Sequence, residues 1–239
     1  MAGREAWPSP SKGLGTWIAN QPRFLDLSTS PGHWENSIFS YWSLDCLYGK
    51  NEKNSIIIGE NNIIREYVTI NPGTEGGGGK TIVGNNCLFM ISSHIAHDCN
   101  VGNNVIIANN VPLGGHVTIE DSVVIGGNSA VQQHTRIGRL AMIGGMTGVL
   151  KDVIPFGLSI GNRNHLQGLN LIGLRRKNYE NKKIIDLDKA YKKIFSSKNL
   201  HENLSKIKNE YKDNELVNEV INFIAKDKRR PICLPINQK

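Results

Sequence analysis

The sequence predicts a hexapeptide-repeat β-helix, a solenoid of short parallel strands, followed by a C-terminal α-helical domain. Three observations predict it. An apolar residue recurs at every sixth position from Val83 to Val149, through Phe89, Ile95, Val101, Ile107, Leu113, Ile119, Ile125, Val131, Ile137 and Ile143. A second column, four residues after each of these, is small or β-branched: Cys87, Ser93, Cys99, Val105, Val111, Val117, Val123, Ser129, Thr135, Ala141, Thr147 and Val153. Past Pro155 and Gly157 the six-residue beat stops and apolar residues return at helical spacing. A period of six is neither the helical 3.6 nor a plain alternating strand, and it is a known solenoid period.

Each hexad supplies one short strand and one turn, and three hexads close a triangular coil. Successive coils stack as parallel strands about 4.8 Å apart. The column residues point inward onto copies of themselves, so no coil buries its interior without a neighbour. Asn85-Asn86, Asn103-Asn104 and Asn109-Asn110 suit corners that need positive φ. An ordinary parallel sheet would need crossovers of a dozen residues or more, for which there is no room.

In chain order, residues 1–50 stand apart. All four tryptophans and Pro8, Pro10, Pro22 and Pro31 fall there, with no hexad register. The segment reads as loops or a poorly ordered, irregular cap. Residues 51–160 form the predicted β-helix, whose beat starts at Ile58, Ile64 and Ile70. Pro72–Lys80, PGTEGGGGK, then breaks the register and reads as a mobile lid extruded from one corner. It lacks the Lys-Ser/Thr ending and the following helix of a phosphate-binding loop. Residues 161–239 form the helical domain. Asn164 is the expected N-cap of a helix over 165–176. Amphipathic helices are expected near 184–196, 201–212 and 214–228, with Ile185, Ala190 and Ile194 on the buried face of the first.

Composition narrows the function classes. No run of about 18 apolar residues marks a membrane span, and no basic-then-apolar leader opens the chain. Cys46, Cys87, Cys99 and Cys233 are scattered, two of them in a repeat column, and read as core fillers of a cytoplasmic protein. The net charge of +7 is uneven: from Arg163 onward there are 18 Lys/Arg against 9 Asp/Glu. That basic region suits an acidic protein, an anionic membrane or a nucleic acid, or is simply a solvated helical surface.

Candidate chemistry centres on Ser93-His94-Ile95-Ala96-His97-Asp98-Cys99. Ile95 and Cys99 point inward, so His94, His97 and Asp98 are expected on the outside. One coil of 18 residues places Gly115 beside His97, and His116 then His134 beside Asp98. A histidine next to a carboxylate suits a general base near neutral pH, and a neighbouring glycine N–H suits a developing oxyanion. Three histidines on one ridge could instead hold Zn²⁺ with an open position, as in γ-type carbonic anhydrases.

Over about Gly59–Lys177, the motifs IREYVTINPGT…GGGKT, HIAHDCNVGNN, ANNVPLGGHV, the glycine-rich Ile143–Val149 turn and GLNLIGLRRK resemble the UDP-N-acetylglucosamine O-acyltransferase family, which opens lipid A synthesis. The resemblance implies a left-handed β-helix, an exception to the right-handed crossover rule, with C-terminal helices and a homotrimer. It implies transfer of an (R)-3-hydroxyacyl chain from acyl carrier protein to the 3-hydroxyl of UDP-N-acetylglucosamine. It assigns His97 as general base, Asp98 as its orienter and Gly115 N–H as oxyanion donor. His94 and His116 would line a sugar site between subunits, with Gln133, Asn170 and Arg176 on the nucleotide sugar. Met90, Met142 and Gly145 would border the acyl groove, where a small residue at Gly145 goes with long chains. No metal and no cofactor are implied, and the acidic carrier protein, not a nucleic acid, becomes the partner of the basic region.

The chain departs from that pattern at Gln132, where the family has His, and at Ile172, where it has Glu. Asp45–Lys50 keeps only an echo of a Gln-Asp-x-Lys segment, and no hexads precede Ile58. A mis-start or frameshift over residues 1 to about 46 is the expectation. A CoA-dependent sugar acetyltransferase of the same fold is an alternative that GLNLIGLRRK and the helical tail oppose. An N-terminally defective, non-catalytic trimer scaffold is the other.

Overall fold

A computed structural model describes residues 25–26, 54–196, 200–227 and 230–236. The expectations for Asp45–Lys50, Cys46 and nearly all of the first 50 residues lie outside them. The described strands are β1 (Leu25–Asp26), β2 (Ser55–Ile58), β3 (Ile63–Ile64), β4 (Thr69–Ile70), β5 (Lys80–Val83), β6 (Leu88–Phe89), β7 (His94–Ile95), β8 (Asn100–Val101) and β9 (Ile106–Ile107). They continue as β10 (Pro112–Leu113), β11 (Thr118–Ile119), β12 (Val124–Ile125), β13 (Ala130–Val131), β14 (Arg136–Ile137), β15 (Met142–Ile143), β16 (Gly148–Val149), β17 (Gly157–Ile160) and β18 (His165–Leu169).

The strands fall into three sheets, ordered β1-β2-β5-β8-β11-β14, β4-β7-β10-β13-β16 and β3-β6-β9-β12-β15-β17-β18. Each third strand returns to the same sheet, as a triangular solenoid requires. Four continuous coils run from β5 to β16, with one coil, β2 to β4, before the insertion. Partners in the continuous run are 18 residues apart, such as Thr118 with Asn100 and Val124 with Ile106. Across the insertion the spacing is longer: Thr69 pairs with His94 and Ile58 with Val83.

The two sequence columns are the core. Ile107, Val117, Val123, Ile125, Ile137, Ile143 and Val149 are fully buried. Each such side chain contributes about 1.5–3 kcal/mol by leaving water. Corners fall at a second six-residue beat of left-handed residues, from Asn86 (φ 57°) and Ser92 (φ 59°) through Asp98 (φ 59°) to Met146 (φ 56°). Asn, Asp and His tolerate this conformation better than most residues. Cys87, Cys99 and Cys233 are free and buried. Burial drives the Cys99 thiol up to about 12 and that of Cys233 up to about 11, so they serve as inert core.

The end of the solenoid differs from expectation. No helix starts at Asn164. β18 instead folds back antiparallel on β17, and this hairpin straddles residue 160, the expected domain boundary. The unpaired edge of β17 needs a partner, and Leu166 and Leu169 are buried in meeting it. Asn164 acts as a latch: its Oδ1 accepts from Leu150 N–H (2.9 Å) and Lys151 N–H (3.2 Å). Helix α1 (Leu171–Arg176) begins only after the hairpin, capped by Asn170. It is followed by α2 (Asn181–Ile194), α3 (Leu200–Glu210) and α4 (Glu215–Lys226), the last capped by Asn214. On α2 the buried face is Ile184, Leu187, Ala190 and Ile194, while Ile185 is 53% exposed, one residue off the expected stripe.

A buried ion cluster ties the tail to the solenoid. Asp152 is fully buried and accepts from Arg136 N–H (3.0 Å) and Arg136 Nε (2.7 Å), with Arg230 Nε 3.6 Å away. The backbone of Asp152 also bonds to Pro231 O and Cys233 N.

Candidate active site

Each coil of the solenoid turns at three corners, one after each sheet. The corner that follows β7, β10 and β13 carries Asp98, His116 and His134, all left-handed and one coil apart. His116 N–H donates to His97 O (3.0 Å), and His134 N–H to Gly115 O (2.9 Å). The 18-residue repeat thus stacks His97 on Gly115 and Asp98 on His116.

Here the rings meet. His97 Nδ1 lies 2.8 Å from Asp98 Oδ2. His116 Nε2 lies 3.9 Å from the same oxygen. The His97 and His116 rings are edge-to-face at 5.0 Å, and His116 stacks on His134 at 4.5 Å. A Cβ placed on Gly115 would fall 2.6 Å from both Cε1 and Nε2 of His97, so only glycine lets the ring sit there. Among the described residues the Gly115 N–H has no hydrogen-bond partner.

The exposure expected for this peptide does not hold for Asp98. Its side chain is 1% exposed, against 18% for His97 and 30% for His116. The cover is the Pro72–Lys80 insertion, expected as a mobile lid. Thr74 donates to both carboxylate oxygens, through N–H to Oδ1 (2.9 Å) and Oγ1–H to Oδ2 (2.7 Å). Asp98 N–H donates to Thr81 Oγ1 (2.8 Å). On the neighbouring sheet position Thr69 Oγ1 lies 2.7 Å from His94 Nδ1. Sequence reasoning missed all three threonines.

Burial favours the neutral form of the flanking imidazoles. Burial, then the nearby His97, lowers the His94 pKa. Burial also lowers that of His116, and Asp98 only partly offsets it. Donor atoms of His97, Asp98 and His116 lie within 4.8 Å of one another, the one candidate metal cluster among the described residues. However, Asp98 Oδ2 already takes the Thr74 hydroxyl, and its 2.8 Å separation from His97 Nδ1 is a hydrogen bond, not the wider edge of a metal's ligand shell. The cluster fits a proton-handling dyad. Beside it opens a cleft of about 450 Å³ lined by His116, Thr118, His134, Arg136, Asp227 and Arg230.

Of the other sequence candidates, all but Gln133 sit away from the histidine corner. Gln133 is exposed on the histidine corner, next to His134. Asn170 is at a different corner, where its Oδ1 caps Gly173 N–H (3.0 Å) and its Nδ2 donates to Leu140 O (3.0 Å). Arg176 is exposed in the last turn of α1. Met142 lies on β15, Met90 follows β6, and Gly145 forms the turn after β15, on the third side of the triangle. No hydrogen bond or ion pair joins Asn170 or Arg176 to the histidine ridge among the described residues.

Comparison with known proteins matches this chain at both levels. The family model "Udp N-acetylglucosamine O-acyltransferase; Domain 2" matches residues 152–233, and "Bacterial transferase hexapeptide (six repeats)" matches residues 80–115. An acyl-[acyl-carrier-protein]--UDP-N-acetylglucosamine O-acyltransferase of Rhizobium etli is 48% identical over 185 residues, covering 77% of this chain and 68% of its own length. The chain belongs to the UDP-N-acetylglucosamine O-acyltransferase family. A member from Nautilia profundicola is 49% identical over 179 residues, covering 74% of this chain and 69% of that one. The solved UDP-N-acetylglucosamine acyltransferase of Arabidopsis superposes with a TM-score of 0.76 at 36% identity, covering 82% and 70% of the two chains. That of Bacteroides fragilis gives 0.77 at 34% identity, covering 82% and 76%. The fold of this acyltransferase family, a left-handed parallel β-helix followed by helices, is the fold of this chain. No helix among the described residues is long and apolar enough to cross a membrane.

Proposed function

We propose that this chain transfers an (R)-3-hydroxyacyl group from acyl carrier protein to the 3-hydroxyl of UDP-N-acetylglucosamine, the first step of lipid A synthesis, with His97 as general base. The observation that carries the base assignment is the His97 Nδ1 to Asp98 Oδ2 contact at 2.8 Å, with Gly115 packed against the opposite edge of the ring.

Asp98 accepts the Nδ1–H and so leaves the Nε2 lone pair to face substrate. As the sugar oxygen attacks the thioester carbonyl carbon, its proton passes to Nε2. The carbonyl π electrons move to oxygen, where the Gly115 N–H donates to the oxyanion. Collapse re-forms the carbonyl and breaks the C–S bond. The departing thiolate of the carrier's arm takes the proton from His97 Nε2 and leaves as the thiol, which restores the base. His94 and His116, kept neutral, line the sugar. Gln133, Asn170 and Arg176 contact the nucleotide, Arg176 pairing with phosphate. Met90, Met142 and Gly145 border the acyl chain.

These groups occupy three different corners of one chain, so a single protomer does not present them to one substrate. A homotrimer that sets one protomer's histidine corner against another's Met142–Gly145 side supplies the convergence. The basic region after Arg163 offers the acidic carrier protein a docking surface, and both substrates place the reaction in the cytoplasm.

The test uses radiolabelled UDP-N-acetylglucosamine with hydroxyacyl carrier protein. His97→Ala is expected to lower turnover by about 10²–10⁴-fold. Undiminished turnover in that variant would remove His97 from the mechanism, and acetyl-CoA as the better donor would overturn the substrate assignment. Light scattering reads the trimer.

A further inference from the structure

The glycine-rich insertion interrupts the repeat, yet its conformation brings Thr74 and Gly77 onto Asp98. Its ends meet at Gly73, where a Cβ would fall 1.9 Å from Lys80 N. Gly78 (φ 99°) and Gly79 (φ 75°) take left-handed turns that side chains disfavour. Between Gly73 and Gly78, Thr74 caps a single 3-10 turn, Glu75–Gly77, with Oγ1 accepting from Gly77 N–H (3.2 Å). Gly77 lies flat on the carboxylate: a Cβ there would fall 2.1 Å from Asp98 Cγ. Ser55 N–H to Gly79 O (2.9 Å) and Gly79 N–H to Thr74 O (2.7 Å) close the loop on the first coil. A flexible glycine-rich loop has no reason to hold seven residues in this shape unless the shape serves what it touches.

We propose that Thr74, carried in by the insertion, is a positioning residue of the acyl-transfer site: its N–H and O–H together fix the Asp98 carboxylate, and so the His97 ring, for proton transfer. This rests on the reading of His97 as general base. Thr74 makes no contact with a substrate in this role. Its hydroxyl is relayed, accepting from Gly77 N–H and donating to Asp98 Oδ2, the same oxygen that receives His97 Nδ1. Without the hydroxyl, the Asp98 carboxylate is held by the Thr74 backbone N–H on Oδ1 alone, and Oδ2 keeps only the His97 ring it is meant to orient. The carboxylate can then rotate about its Cβ–Cγ bond, and the His97 ring turns with it. Gly77 adds the exclusion of water, which leaves the carboxylate no solvent to bond to in place of His97.

The experiment compares Thr74→Val, Thr74→Ser and His97→Ala in the full chain, with steady-state kinetics and thermal unfolding for each. Valine matches threonine in shape and retains the backbone N–H. It is expected to lower kcat by about 10- to 100-fold, as expected for loss of one hydrogen bond to a charged group, with KM for the sugar nucleotide unchanged. Serine restores the hydroxyl and is expected to recover most of kcat. A Thr74→Val chain with wild-type kcat, beside an inactive His97→Ala, would overturn the role of Thr74 and leave the base assignment standing. A fall in kcat that serine does not recover would reduce Thr74 to a packing residue and also overturn it. An active His97→Ala would bring down the base reading, and this inference with it.

Discussion

Gly115→Ala adds one methyl group at the point where two coils meet. A Cβ there would fall 2.6 Å from His97 Cε1 and Nε2, whereas unstrained carbon contacts lie at about 3.5–4.0 Å. The ring or the coil must therefore yield by about 1 Å. Gly115 is not among the left-handed glycines, so alanine meets no backbone penalty and the whole effect falls on the contact. The coil resists through the His116 N–H to His97 O bond (3.0 Å), and the ring through its 2.8 Å bond to Asp98. The ring edge is the softer partner because His97 is partly exposed. A 1 Å misplacement of a reacting group costs about 10²-fold in rate, or about 2.7 kcal/mol of barrier. Overpacking costs about 1–3 kcal/mol of stability in a closed core, and this partly open site belongs at the low end. Initial rates with radiolabelled sugar nucleotide, read beside thermal unfolding, separate the two. A large loss of kcat with a small loss of stability is expected. An unchanged kcat would refute the claim that the glycine exists to seat the ring.

Three further outcomes follow from other parts of the molecule. Asp152→Ala leaves Arg136 and Arg230 facing an uncompensated buried site and is expected to cost about 3–5 kcal/mol in urea unfolding, with a loss of the order of a surface ion pair arguing against the cluster as the tail's anchor. Gly145→Met is expected to shift donor preference toward shorter acyl chains, since Gly145 is exposed and a Cβ there meets only the Gly127 backbone, at 3.3 Å from its O and 4.0 Å from its N; competition between carrier-linked donors of different length reads it. His94 is held neutral by burial, so the unfolded chain binds the extra proton and stability rises with pH. The contribution of His94 is complete above its unfolded pKa near 6.5 and is lost as pH falls below it; melting at pH 7.5 and 5.5 should show a smaller acid loss for His94→Gln.

The sequence by itself determined the architecture, because a period of six with two agreeing columns leaves one way to bury both. It also determined the adjacency of His97 to Gly115 and of Asp98 to His116, since in the unbroken run one coil is 18 residues and the ruler transfers directly to space. A further signal lay in the same ruler: Asp98, His116 and His134 occupy one left-handed corner column, where His and Asp are tolerated but Asn is commoner. The ruler failed where the chain left the repeat. Between β4 and β7 the paired residues are 25 apart, as Thr69 is from His94, so nothing in the spacing placed Thr69 beside His94 or Thr74 beside Asp98; Thr81, on β5 and 17 residues before Asp98, lay within the ruler's reach. Asn164 misled for a similar reason: an N-cap residue ahead of a helical pattern was legible, but the free edge of β17, which claims His165–Leu169 as a partner, exists only once the solenoid is built. Periodicity fixes what repeats, through local geometry that each coil imposes on the next. What covers Asp98, and whether its carboxylate meets water or Thr74, depends on a single non-repeating contact, and that was decided only by the folded chain.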